Sequence, residues 1–511
     1  MVRAVRTSVS RPRSARQVAR SYASVNLWGV SGRRLALRTH TRDMITPPVD
    51  GRRFTGKVHL HSPGATDDEV PGNSASVSPQ SASGPQTHLM ALPKVGSPLQ
   101  QGRNVLTRMR TFEALQLREF RLLWLGQLTT GLGQWMDQVA RGWLLYDLTG
   151  STVQLGLVGA LRAVPLLLLS PIAGTLADRY GRKTQLIAAQ SINAVANVIL
   201  GMLILTGGVH PWHVYATGLV AATVQVFQQP ARQAMLPESV DPGHLTNAIG
   251  LNSLVFNMSR SVGPAIAGAL IALVGPGGSY LAQGGLFALS TLWTVQLHLP
   301  NRPPASSASR PLSIAASTWE GWRYVVIQPT IRTAMIVSVV AAFFGMSTTT
   351  LLPVFARDIL EAGPTGQGLL LTAMGIGAVV SAFLIASVGD DLPKGMLMIG
   401  GVTVYGLSVL GFSASQWVAV SLALMVITGM CNVASNALVQ TVLQAESAPT
   451  MRGRVMGVYQ QHQLFIVAGG LLAGTLASVF GAQLTVAGFG VACAVGAVAV
   501  YLAIPRVRAI R

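Results

Sequence analysis

From Phe120 onward the chain is a succession of apolar runs separated by short polar breaks. The runs fall at about 120–146, 153–176, 184–206, 212–234, 246–273, 279–299, 331–355, 366–388, 396–413, 416–443, 454–479 and 482–504. Crossing the ~30 Å hydrocarbon layer takes roughly 20 apolar residues in a helix, and every run is about that long. The pattern predicts an all-α membrane protein of twelve transmembrane helices. The longest break, 301–330, opens on Pro303-Pro304-Ala305-Ser306-Ser307 and continues into a short predicted helix with Trp319 and Trp322. It divides the spans six and six, which gives two bundles, 111–300 and 331–511, joined by a central loop.

The bundles resemble each other in register. Gly156 and Asp178 are 22 residues apart, as are Gly368 and Asp390, and the two pairs are offset by 212 residues. Parallel repeats related by an axis along the membrane normal are a known transporter architecture, so the expected fold is a pair of pseudo-symmetric six-helix bundles.

Composition agrees. Half of the 511 residues are hydrophobic, 11% are charged, and the mean hydropathy is +0.46; soluble domains carry about 25% charged residues. The net charge of +19 does not signal nucleic-acid binding, because residues 1–110 alone hold 17 Lys and Arg against 5 Asp and Glu. That extension is rich in Arg, Ser, Pro and Gly and lacks an apolar period, which is the composition of a disordered segment. It fits an extension upstream of a start at Met109, a cytoplasmic tail drawn to anionic lipid, or an Arg-rich targeting peptide. The two cysteines, Cys431 and Cys493, fall inside apolar runs, so neither a disulfide framework nor a cysteine metal site is expected, and no metal or cofactor is implied.

Cationic residues alternate from one set of loops to the other. Arg179, Arg182, Lys183, Arg232, Arg302, Arg310, Arg323, Lys394, Arg452 and Arg454 share one end with Arg118, Arg121 and the carboxy-terminal Arg506, Arg508 and Arg511. The other end is bare except for Arg357, which has Asp358 and Glu361 beside it. By the positive-inside rule the basic end faces the cytoplasm, with both termini, in a multi-pass protein of the cell membrane.

Gly174-Thr175-Leu176-Ala177-Asp178-Arg179-Tyr180-Gly181-Arg182-Lys183 joins the second and third spans. Gly174 permits close helix approach, Asp178 can cap the positive end of a neighbouring helix, and Arg182 and Lys183 supply cations for a breakable ion pair. This loop resembles the signature loop of the major facilitator superfamily. The matching loop of the second bundle, Gly389-Asp390-Asp391-Leu392-Pro393-Lys394, keeps an acid but lacks the Gly-Arg-Lys ending. In the fifth span, Gly263-Pro264-Ala265-Ile266-Ala267-Gly268 predicts a kink and is similar to the superfamily's antiporter motif. Gln229-Pro230-Ala231-Arg232-Gln233-Ala234-Met235-Leu236-Pro237-Glu238, Arg452-Gly453-Arg454-Val455-Met456-Gly457 and the opening Phe120-Arg121-Leu122-Leu123-Trp124-Leu125-Gly126-Gln127 resemble a branch that includes drug, macrolide and siderophore exporters. The resemblance covers about 112–505. It implies alternating access, with residues 174, 178, 179 and 181–183 forming a conformational gate.

Ionisable groups in a membrane are costly and mark function or pairing. Asp137 and Arg141 lie four apart on one helix face, and Asp137 is the candidate for proton or cation coupling, with a static ion pair as the alternative. Gln134, Arg162, Asn193, Asn257, Arg260, Asn436, Gln440 and Gln463 are candidate cavity residues; for the amides, packing between helices is the competing role, while Arg162 and Arg260 are candidates either to contact an anionic substrate or to neutralise acids across the bundle as structural partners. The chain lacks Gly-x4-Gly-Lys-Ser/Thr, His-Glu-x-x-His and Gly-x-Ser-x-Gly, so neither ATP-driven transport nor those enzyme chemistries are expected. The expectation is a monomeric, proton-coupled exporter of amphipathic small molecules. Uptake or facilitated diffusion of a metabolite, and a non-transporting receptor or scaffold of the same fold, are the alternatives.

Overall fold

The computed structural model describes residues 112–299, 314–388 and 393–504; of 170–180, 314–316, 386 and 388 it describes the backbone alone. The amino-terminal extension, most of the proline-rich start of the central loop, the 389–392 loop and the carboxy-terminal arginines lie outside the described residues.

The described chain is helical and forms twelve spans. In the first bundle they are α1 (Arg118–Thr149), α2 (Thr152–Tyr180), α3 (Arg182–Leu205), α4 (Pro211–Met235) and the continuous stretch Leu245–Val295. That stretch is two spans: Gly275 adopts φ 73° and ψ 173°, which only glycine takes readily, and the chain reverses there. The halves are α5 (245–274) and α6 (276–295). After the connecting helix Ile314–Ile327 come α7 (Pro329–Ile359), α8 (Gly363–Val388), α9 (Lys394–Ala414), α10 (Val418–Glu446), α11 (Arg452–Phe480) and α12 (Ala482–Ala503). Among the described residues nine helices pass as spans on length and apolarity, with α5 and α6 taken together as one. The two that do not, α1 and α4, are the most polar spans, and both face the cavity described below.

Within each bundle, helices approach through glycines. A Cβ on Gly133 of α1 would lie 2.9 Å from the Phe287 ring of α6, and one on Gly406 of α9 would lie 2.5 Å from Ala494 N of α12. Such close packing replaces the hydrophobic drive that lipid removes.

The two bundles meet along two seams, α2 with α11 and α5 with α8. With six spans per bundle, α2 corresponds to α8 and α5 to α11, so the seams are one contact made twice. Both bring backbone close to backbone at glycines. A Cβ on Gly156 would stand 2.8 Å from Gly470 O, and one on Gly268 would stand 2.6 Å from Pro364 O and 3.2 Å from Gly368 Cα. Gly156 and Gly368 are the pair offset by 212 residues in the sequence. The Gly263-Pro264 segment lies inside α5, and the non-helical residue of the continuous stretch is Gly275. Gly263 accommodates Trp135, whose Cβ a methyl at this position would meet at 2.8 Å, and the Pro264 carbonyl packs on Gly368.

Span α7 is irregular. Wide turns at Ala341–Gly345 and Phe355–Ile359 flank a tighter helix at Met346–Leu351. Such insertions in a helix often accompany function, and here they set Thr349, Thr350 and Pro353 on the wall of the central cavity.

Candidate central cavity and flanking contacts

Between the bundles lies a cavity of about 830 Å³ walled by α1, α2, α4, α7, α8 and α11, within the range typical of small-molecule sites. Its polar wall is mostly uncharged: Gln138, Gln225, Gln229, Gln367 and Gln463 with Thr349 and Thr350. The rest is apolar, including Leu155, Val158, Leu371 and Val467. Gln367 is buried on this wall, and its Oε1, an acceptor, has no hydrogen-bond partner.

Arg141 and Arg162 are the cations of this wall. Arg141 is fully engaged. Its Nη2 and Nε donate to Asp137 at 2.6 and 3.1 Å, and its Nη1 donates to Val214 O at 2.7 Å and Thr217 Oγ1 at 3.0 Å. Gly218 makes room for it, since a Cβ there would lie 3.2 Å from Nη1. Asp137 thus stands behind Arg141 on the same helix and is not part of the cavity wall; Arg141 ties α1 to α4. Arg162, about three turns into α2, has no carboxylate at ion-pair distance and no hydrogen-bond partner among the described residues.

A second cavity of about 350 Å³ lies between α1, α4 and α5 toward the basic end and is lined by Gln127, Gln229, Arg232, Gln233, Asn252 and Asn257, among others. Gln229 belongs to both cavities. Arg232 is 6% exposed; its Nη2 donates to Thr130 Oγ1 at 3.3 Å, while its Nη1 has no partner.

The structure thus brings Arg141, Arg162 and Gln463 to the central cavity and Asn257 to the second. Gln134, Asn193, Arg260, Asn436 and Gln440 line neither. Arg260 stacks on Trp135 with its guanidinium 5.6 Å from the ring centre, Asn193 is buried in α3 with Asn197 bonded to its carbonyl at 2.8 Å, and Asn436 accepts from the Tyr459 hydroxyl at 3.2 Å. Sequence reasoning missed Gln138, Gln225, Gln229, Gln367, Thr349 and Thr350. The Gln-Gln pair at 228–229 in an otherwise apolar run was the available signal for one of them; the threonines had none, because the irregular turns of α7 aim them.

The gate loop is described in part. The side chains of Gly174, Asp178 and Arg179 lie outside the described residues. Gly181 has φ 78°, a left-handed conformation that lets α2 turn directly into α3. Arg182 pairs with Glu238 in the segment after α4, and Lys183 Nζ donates to Leu297 O at 2.7 Å, just past α6. Both cations are therefore bound within the first bundle. Contacts across the bundles occur at the bare end: Arg357 pairs with Asp147 at 2.9 Å, Tyr146 donates to Asp358, and Thr152 Oγ1 donates to Gly474 O at 2.8 Å.

Two six-helix bundles, related by repeat and enclosing one amide-lined cavity, define a membrane transporter of the major facilitator type. A family profile described as "Transmembrane secretion effector" matches residues 109–510, and the chain belongs to that family. It is 29% identical to the staphyloferrin A transporter of Staphylococcus aureus over 364 residues, 68% of this chain and 87% of that one. It is also 29% identical to the multidrug efflux pump Tap of Mycolicibacterium fortuitum over 397 residues, 76% of this chain and 96% of that one. The crystal structure of the nucleoside transporter NupG superimposes with a TM-score of 0.59 at 15% identity, over 75% of this chain and 98% of that one, a likeness of fold.

Proposed function

We propose that this protein exports amphipathic small molecules across the cell membrane by alternating access, driven by protons moving inward. The observation that carries the reading is the central cavity. It sits between two bundles that touch through bare backbone at two equivalent seams, so rocking one bundle on the other redirects the cavity without unpacking either. The basic end faces the cytoplasm on the distribution of Lys and Arg, and the contacts Asp147–Arg357, Tyr146–Asp358 and Thr152–Gly474 then close the outside. Residues 174–183 act as the cytoplasmic gate, with Arg182 and Lys183 bracing α3 so that the first bundle moves as one body. A relative that is a multidrug efflux pump supports the direction of transport, and an apolar, amide-rich wall suits ligands of mixed character.

Asp137 is the coupling group in this reading. Its carboxylate has one strong partner, Arg141, which also holds α4 through Val214. Protonating Asp137 removes the charge that orients the Arg141 guanidinium and so loosens the contact of α1 with α4. Everted vesicles containing the protein are expected to accumulate amphipathic dyes when their lumen is made acidic and to lose them on addition of an uncoupler. Accumulation only in right-side-out vesicles would reverse the direction. Accumulation indifferent to the uncoupler would remove the proton.

A further inference from the structure

The membrane interior of this protein has an imbalance of charge. Among the described side chains, the spans carry four interior arginines, Arg141, Arg162, Arg232 and Arg260, against one interior carboxylate, Asp137. Asp137 is consumed by Arg141 through two hydrogen bonds. Arg260 rests on the face of Trp135. Arg162 and Arg232 have no carboxylate at ion-pair distance among the described side chains, although Asp137, already bound to Arg141, acts on Arg162 from farther off; both arginines line cavities. Asp178 cannot serve Arg162, because sixteen residues along one helix is about 24 Å, beyond the reach of both side chains.

An uncompensated guanidinium at membrane depth is expensive unless something arrives to neutralise it. A site for cationic ligands would place a carboxylate on the wall; here the described wall has none. Arg162 shares its wall with the amides of Gln138, Gln225, Gln229, Gln367 and Gln463, whose –NH2 groups can donate to an oxoanion, and a planar guanidinium is the side chain best matched to a carboxylate or other oxoanion. Arg232 presents a second unpartnered N–H in the adjoining cavity toward the basic end, and Gln229 is common to both.

We propose that the transported molecule is an acid: Arg162 holds its carboxylate or oxoanion in the central cavity, and Arg232 offers the same group a staging position nearer the cytoplasmic side. The inference rests on the transport reading for the site being a substrate site, but the charge preference can be tested apart from flux.

The test is binding of two xanthene dyes of similar size to the full-length protein in lipid nanodiscs, read by fluorescence polarisation: fluorescein, an anion, and the methyl ester of rhodamine, a cation. Fluorescein is expected to bind at least about tenfold more tightly, the effect of one charge-assisted contact. Arg162→Gln is expected to abolish that difference and Arg162→Lys to keep part of it. The melting temperature of Arg162→Gln should be unchanged or raised, since the variant loses a charge that no described carboxylate pairs. Equal or tighter binding of the cation, no binding of fluorescein, a preference that survives Arg162→Gln, or a marked loss of stability in that variant overturns the proposal. Export that shows no charge preference overturns it and leaves the transport reading standing; selective binding of the anion without flux in either direction does the reverse.

Discussion

Asp137 and Arg141 illustrate why a charged pair in a membrane has to be judged by its partners. Removing one member of a buried pair strands the other and costs about 3–5 kcal/mol. Asp137→Asn is therefore expected to lower the melting temperature of the detergent-solubilised protein sharply, as well as stop proton-driven export. The double variant Asp137→Asn with Arg141→Gln should regain most of the stability and none of the coupling. If the single variant melts like the parent, the hold of Arg141 on α4 does not depend on Asp137. Their spacing of four made the pair readable from the chain itself. What could not be read was that Gly218 hollows out the space for the guanidinium, or that Arg141 and not Asp137 meets the cavity: a linear pattern places residues on a helix face but does not say which of two neighbours stands in front.

The seams act at the scale of elements. Gly268 and Gly368 let α5 and α8 touch backbone to backbone, and Gly156 and Gly474 do the same for α2 and α11. Gly268→Val drives a side chain into Pro364 and Thr365, and overpacking of this kind costs about 1–3 kcal/mol. Because the clash exists only while the bare end is closed, the variant is expected to favour the opposite state. A reporter cysteine at Thr350→Cys on the cavity wall should then react faster with an impermeant maleimide added outside; unchanged labelling would show that the seam does not limit opening. The twelve spans and their six-plus-six division were legible because lipid imposes length and apolarity on each helix. So was the repeat, since Gly156 and Gly368 are constrained by the same contact. Glycine and proline in an apolar run signal either a bend or a close approach, and the structure shows the close approach at Gly263 and Pro264. The wide and tight turns of α7 left no trace in hydropathy, which is blind to how many residues make a turn.

For the molecule as a whole, the bundles are joined at the bare end by the Asp147–Arg357 pair, whose side chains are 48% and 42% exposed. Pairs this open are worth about 0–1 kcal/mol, so Arg357→Ala is expected to shift the balance between inward- and outward-open forms by no more than about fivefold. The same Thr350→Cys reporter measures it, and raised salt should mimic it in the parent. A much larger shift would mean that the Arg357 contact over Tyr146, rather than the ion pair, holds the seal. Removing residues 1–108 is expected to leave dye flux in vesicles unaltered, since the twelve spans that surround the cavity all follow Met109; a loss of flux would assign the extension a role.

Cys431 and Cys493 are 7% and 0% exposed, and the sulfur of Cys493 faces Val402 O inside the second bundle. Both thiols are sheltered by neighbouring helices. The folded molecule offers oxidants and alkylating agents no ready sulfur, so it should pass through oxidative stress without cross-linking to itself, and any mercury or maleimide adduct on the unaltered chain would report that α9, α10 and α12 had come apart.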